Sequence, residues 1–181
     1  MATPAVVIDF WFAPETKEKW FAPTPEFDQE VRDRLGVLHD RAAAGELSDW
    51  ETTPEGCLAL LVLLDQAPRN MFRGDARSFA TDAAARDLSD RAIAAGHDMT
   101  TPIERRDFFY LPFEHSEDVE DQRRGVVLFS ERCNTGDNVD WAKRHLVVIE
   151  RFGRFPHRNE VMGREPTPEE TEYLESRDKP F

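Results

Sequence analysis

Long apolar runs, paired cysteines and an excess of positive charge are all missing from this 181-residue chain. The longest apolar run, Leu58 to Leu64, is far shorter than the roughly 20 residues a membrane-crossing helix needs. Only two cysteines occur, Cys57 and Cys133, and no C-x-x-C spacing exists, which excludes zinc–thiolate and thioredoxin-type sites. Two free thiols suit a reducing compartment. The first residues, MATPAVVIDFWF, carry no basic stretch and are interrupted at Asp9, so no signal peptide is expected and a cytoplasmic location is. Acids outnumber bases 36 to 23, for a net charge of −13. That field repels phosphate backbones and anionic headgroups, so neither nucleic acid nor a membrane is an expected partner. Phosphate-cradling glycine loops and a G-x-S-x-G elbow are absent as well. Period-two alternation is missing, which leaves no strand to propose.

What remains is helix punctuation. Hydrophobic residues make up 40% and charged residues 33% of the chain, an ordinary balance for one globular domain, here residues 1–181. Thr24-Pro25 and Thr53-Pro54 each place a cap residue before a proline at the first helical position. Phe27, Val31, Leu35, Leu38 and Ala42 then fall on one helical face, and Gly45 ends it. CLALLVLLDQ is apolar all round and should be the most buried element, closed by the corner at Pro68. A helix over about residues 76–95 should present Phe79, Ala83, Ala84, Leu88, Ala92 and Ala95. Ser116 is the expected cap of the next helix, Asp137 to Phe152 forms another, and Thr167-Pro168 opens the last. The fold class is therefore all-α, with about seven to nine helices joined by short loops as antiparallel neighbours.

Two corners echo each other. LVLLDQAPRNMFRG and VVIERFGRFPHRNEVMGR both run from an apolar helix end through proline to Arg-Asn and then glycine. In the first, Asp65 follows apolar residues near a helix C-terminus, where a negative charge needs a partner; Arg69 and Arg73 are the nearest. The pair either clamps the corner or leaves Arg69 oriented to grip an anion, with Asn70 beside it. In the second, Arg151, Arg154, His157 and Arg158 crowd together, followed by Arg164. These either pair with Glu150, Glu160 and Glu165 or build a cationic pocket for a carboxylate or phosphate.

A third stretch, FFYLPFEHSEDVEDQ, sets His115 among acids. Helical spacing puts His115 and Gln122 on the stripe of Val119, Val126 and Phe129, and leaves Glu117 and Asp118 as solvated first-turn acids. His145 shares a face with Trp141, Val148 and Phe152 and reads as a satisfied core residue. A metal bound by His115, His145 and His157 finds no H-x-x-x-H or H-E-x-x-H spacing, so no metal or cofactor is expected. Phe10, Trp11, Phe12, Trp20 and Phe21 read as core, with a partner groove as the alternative.

Taken together, DFWF (9–12), LLDQAPRNMFRG (63–74), FATD (79–82), FFYLPFEHSEDVEDQ (108–122), RFGRFPHRN (151–159) and the TPEE tail (167–170) resemble a bacterial family, domain of unknown function 924. The resemblance implies a tetratricopeptide-like helical superhelix and no established activity. Ala67 stands where the family's DQ-x-PRN motif is expected to carry a bulkier residue.

Three functions follow. The first is a binding module for an anionic small molecule or acidic peptide, with Arg69, Arg73, Arg154 and Arg158 as anion contacts, Asp65 and Asn70 orienting them, and His115, Gln122 and His157 lining the same surface. The second is a hydrolase or lyase with His115 as general acid/base, with or without the assistance of a metal. The third is a structural protein in which each motif is a corner clamp. No oligomeric state follows from the sequence.

Overall fold

A computed structural model of the chain describes residues 2–20, 24–133 and 135–176. Phe21 lies outside them. Among the described residues every regular element is helical, as expected from the punctuation, and no helix is long and apolar enough to cross a membrane. The chain divides into two compact units, Met1–Pro112 and Phe113–Phe181.

The first unit is built on α1 (Pro4–Trp11), α2 (Pro25–Ala43), α3 (Pro54–Leu61), α4 (Ala67–Met71) and α5 (Asp82–Ala94). Helix α2 starts as its sequence dictates: the Thr24 hydroxyl accepts the Phe27 N–H, and Pro25 occupies the first turn, where no N–H is needed. Its stripe of Phe27, Val31, Leu35, Leu38 and Ala42 is buried throughout. Helix α3 is buried on every side from Gly56 to Leu61, and it packs against α1 and α5.

Pro68 does not end the apolar helix. The chain instead widens into a π-helical turn, Val62–Gln66, and continues as α4. Proline has no N–H to offer and its ring crowds the preceding turn, so the wider turn relieves the clash and releases carbonyls. The carbonyls at that turn find side chains: Leu63 O lies 2.9 Å from His39 Nδ1, and Leu64 O accepts the Thr81 hydroxyl. Helix α5 begins at Asp82, later than expected, which rotates its buried face. Ala85, Leu88, Ser89 and Ala92 turn inward, while Ala83, Ala84 and Ala95 are exposed.

Gly56 marks the tightest approach in this unit. A Cβ there would lie 1.9 Å from the Trp50 carbonyl oxygen, which is backbone and cannot swing aside. Gly56→Ala is therefore expected to lower stability by about 3 kcal/mol, read from urea unfolding midpoints. A change below about 0.5 kcal/mol would show that the turn at Trp50 yields freely.

The second unit contains α6 (Val119–Arg132), α7 (Asn138–Phe152) and α8 (Pro168–Glu175). Helices α6 and α7 pack on each other, and Val148, Ile149 and Phe155 form a buried cluster with Val119, Phe152 and Tyr173 against it. Gly153 ends α7 with φ of +68°, a left-handed turn that side chains resist. Helix α8 opens with a reciprocal capping box between Thr167 and Glu170.

Candidate functional site

The Asp65 corner is a clamp within the first unit. Asp65 is 1% exposed and its carboxylate lies 3.2 Å from Arg69. The Arg69 fork also grips Asp82 with two parallel bonds, at 3.0 and 3.1 Å. Burial works against the guanidinium charge, but Asp65 and Asp82 outweigh it and raise the group above its usual range. Asp82 is the first residue of α5, where the helix dipole favours an anion.

Arg73 was an expected partner of Asp65, and the structure gives it to Asp28 on α2 instead. Its Nε and Nη2 donate to that carboxylate at 2.7 and 3.0 Å, and Asn70 adds a third bond at 2.8 Å. Burial would raise the Asp28 carboxyl, yet Arg73 and Asn70 hold it below the ordinary range. Arg69, Asn70 and Arg73 thus tie α4 to α5 and α2, and the forks that would face an anion are engaged with carboxylates.

Most arginines of the second corner are engaged too, though not with the acids expected. Arg151 pairs with Glu169, Arg154 grips Glu170 through Nε and Nη2, and Arg164 grips Glu117. Glu150 is taken by Arg123. Arg158 differs: it is 7% exposed, its guanidinium lies 4.5 Å over the Phe155 ring, and Nη2 donates to the His115 carbonyl at 3.1 Å.

That last bond explains Gln122. Three consecutive carbonyls, of Glu114, His115 and Ser116, leave the helical turn Leu111–Glu114 with no helix to continue into. Gln122 Nε2 donates to the carbonyls of Glu114 and Ser116, and Arg158 supplies the one between. The His115 backbone is held from both sides. Gln122 Oε1, buried, has no hydrogen-bond partner among the described residues.

Of the two acids expected as a solvated helix start, Asp118 is exposed at the start of α6, while Glu117 is not free in solvent. Asp118, not Ser116, caps α6 by accepting the N–H groups of Glu120 and Asp121. Ser116 donates to Asp121 and accepts from the Asp118 N–H. Glu117 precedes the cap, so the helix dipole does not act on it. It turns instead to Arg164 and to the Phe155 N–H. Burial would raise its carboxyl, and Arg164 with that N–H brings it below the usual range. Glu114 is buried and stands 3.3 Å from His145 Nδ1. Sequence reasoning missed both roles; Arg164 lies 47 residues from Glu117, and no local pattern announces such a pairing.

Three imidazoles gather around Phe155. His115 and His145 have ring centroids 6.4 Å apart, His145 stands 5.7 Å from Phe155, and His157 is 5.5 Å from Phe155 on its exposed side. His145 Nδ1 faces two acceptors, the Trp141 carbonyl at 2.9 Å and Glu114, so Nδ1 carries the hydrogen and Nε2 keeps its lone pair. Burial pushes His145 down to about 3; the Trp141 carbonyl opposes this, while His115, His157 and Arg158 add to it. His157 is lowered by loss of solvent around the ring and by Arg158, with Glu117 opposing. Trp141, expected on a buried face, is 40% exposed. Among the described residues no three His, Cys, Asp or Glu side chains converge so as to hold a metal ion.

Among the described residues the protein is all-helical, with a carboxylate-clamped Pro-Arg-Asn corner in its first unit, and comparison with known proteins gives its family. Residues 7–178 match the family described as bacterial protein of unknown function (DUF924), and the chain belongs to that family. It is similar to a solved protein of unknown function from Agrobacterium tumefaciens, at 45% identity over 95% of this chain and 96% of that one, with a TM-score of 0.89. No curated protein matches the chain.

Proposed function

We propose that the protein is a binding module that takes a small anion, a carboxylate or phosphate, at the cluster of His115, His157 and Arg158 around Phe155. One observation carries this reading. Beyond the effect of burial, the charges of His115, His157 and Arg158 stand close enough to lower His145, and those of Arg158 and His115 lower His157. An anion placed among them reverses that effect, raises the imidazole pKa values and is gripped more firmly as they charge. Glu114 stands at His145, and Glu117 is engaged with Arg164 and the Phe155 N–H. Gln122 acts as a positioning residue for the His115 backbone. The C-terminal carboxylate of an acidic peptide offers the same chemistry. Asp65, Arg69, Asn70, Arg73 and Arg154 fall outside this reading, because their charges are spent on internal pairs.

Calorimetry with inorganic phosphate and with malonate tests it. Binding is expected to tighten about tenfold between pH 7.5 and 5.5, with proton uptake detected by comparing buffers of different ionisation enthalpy. His157→Gln should abolish most of the uptake, and circular dichroism checks that the fold is intact. Absence of heat with both anions at both pH values would end the proposal.

One contact favours a second reading. The Glu114–His145 arrangement fixes the tautomer of a neutral imidazole, which is what a general base requires. An enzyme of this kind would work through His145, with His115 beside it. Turnover in a hydrolase screen that survives His145→Gln would exclude that role.

A further inference from the structure

A cleft of about 390 Å³ opens between α7 and α8 in the second unit, apart from the histidine cluster. Val147, Val148, Phe152 and Tyr173 make its apolar wall, and the Phe152 and Tyr173 rings lie 5.0 Å apart. This volume suits a small ligand rather than a protein segment.

Three polar groups of the cleft are left over by the fold. The Tyr173 hydroxyl is buried and has no hydrogen-bond partner among the described residues, an arrangement that costs free energy unless something fills it. Arg144 contributes a guanidinium whose described contact is the face of Trp141, at 4.6 Å, and it makes no ion pair among the described residues. Glu172, on the other helix, makes no ion pair among the described residues. The remaining cation, Arg151, is already paired with Glu169. Among the described residues, the cleft therefore offers one unpaired cation, one unpaired anion and one hydroxyl donor around an apolar wall.

We propose that this cleft binds a free hydrophobic α-amino acid. The apolar side chain would lie against Val147, Phe152 and Tyr173. Its carboxylate would meet Arg144 and the Tyr173 hydroxyl, and its ammonium group would meet Glu172. A simple carboxylate leaves Glu172 unanswered and is repelled by it; a simple amine leaves Arg144 and Tyr173 unanswered. A zwitterion satisfies all three.

Ligand-observed NMR saturation transfer with L-phenylalanine, 3-phenylpropionate and phenethylamine decides the matter. L-Phenylalanine is expected to bind at least about fivefold more tightly than either analogue, because each leaves a charge unpaired. Arg144→Gln and Glu172→Gln should each weaken L-phenylalanine about fivefold, and Tyr173→Phe about threefold, while His157→Gln leaves it unchanged. Arg144 and Glu172 are exposed, so these variants are expected to fold normally, which circular dichroism checks. Equal binding of the three compounds, wild-type affinity in both charge variants, no saturation at about 10 mM ligand, or loss of binding in His157→Gln would each overturn the proposal. The last result would move the ligand to the histidine cluster.

Discussion

Arg69→Met is expected to destabilise the protein by about 3 kcal/mol at neutral pH, more than any exposed substitution on the chain. The reason is what the change leaves behind. Asp65 and Asp82 have side chains only 2% and 10% exposed, and Arg69 bridges them. Removing it takes that shared cation away from two carboxylates that are largely desolvated in one corner. Adding Asp82→Asn to Arg69→Met should recover about 1–2 kcal/mol by removing one of the stranded charges. Urea unfolding of the four proteins in that cycle measures the coupling. If the double variant is no more stable than Arg69→Met, the Arg69–Asp82 pair is not what closes the corner. Arg77→Met is the control: its pair with Asp75 is exposed, and the unfolding midpoint is expected to stay close to that of the wild type.

Glu170→Gln is expected to cost about 2 kcal/mol at pH 7, and the loss should shrink in acid. Glu170 is 2% exposed and accepts from Arg154, Asn159 and the Thr167 N–H. Those partners, Arg154 first, hold its carboxyl at about 2, well below its ordinary 4.5. The unfolded chain therefore binds this proton more readily than the folded one. The contribution is complete above about pH 4.5 and disappears as the pH falls towards 2. Glutamine still serves a capping box, so the variant removes the charge and spares the turn. The difference between wild type and variant, measured at pH 7, 4.5 and 3 (roughly three points across that window), carries the prediction. Neither curve suffices alone, because His145, lowered to about 3, adds its own loss of stability as the pH drops below its usual 6.5. A difference that stays constant from pH 7 to 3 would mean that Glu170 is not held ionised by the fold.

Both experiments also bear on function. Arg69, Arg73 and Arg154 were attractive as anion contacts because a guanidinium presents a planar fork suited to carboxylates. Inside the fold each fork has found a carboxylate of the chain itself: Asp82, Asp28 and Glu170. An acidic protein can place a carboxylate opposite nearly every arginine, and the ones that matter for a ligand are those it leaves facing something else. Arg144, turned onto Trp141, is of that kind.

The sequence by itself determined the helical class and most helix starts, because those depend on forces acting within one turn. Thr24 and Thr53 accept N–H groups from residues three positions on, proline fits the first turn, and the stripe from Phe27 to Ala42 is read by counting. It also identified the family through the ordered motifs, and it marked His115 and Gln122 as inward-facing polar residues, of which Gln122 is buried. The tertiary structure alone decided where the helix through Pro68 would go, since the carbonyls at that turn are answered by His39 and Thr81 from other helices or loops. It alone decided the partners of the charges. Glu117 with Arg164, Asp28 with Arg73 and Glu114 with His145 are separated by tens of residues, and Coulomb attraction depends on distance in space and burial, neither of which is written in local spacing.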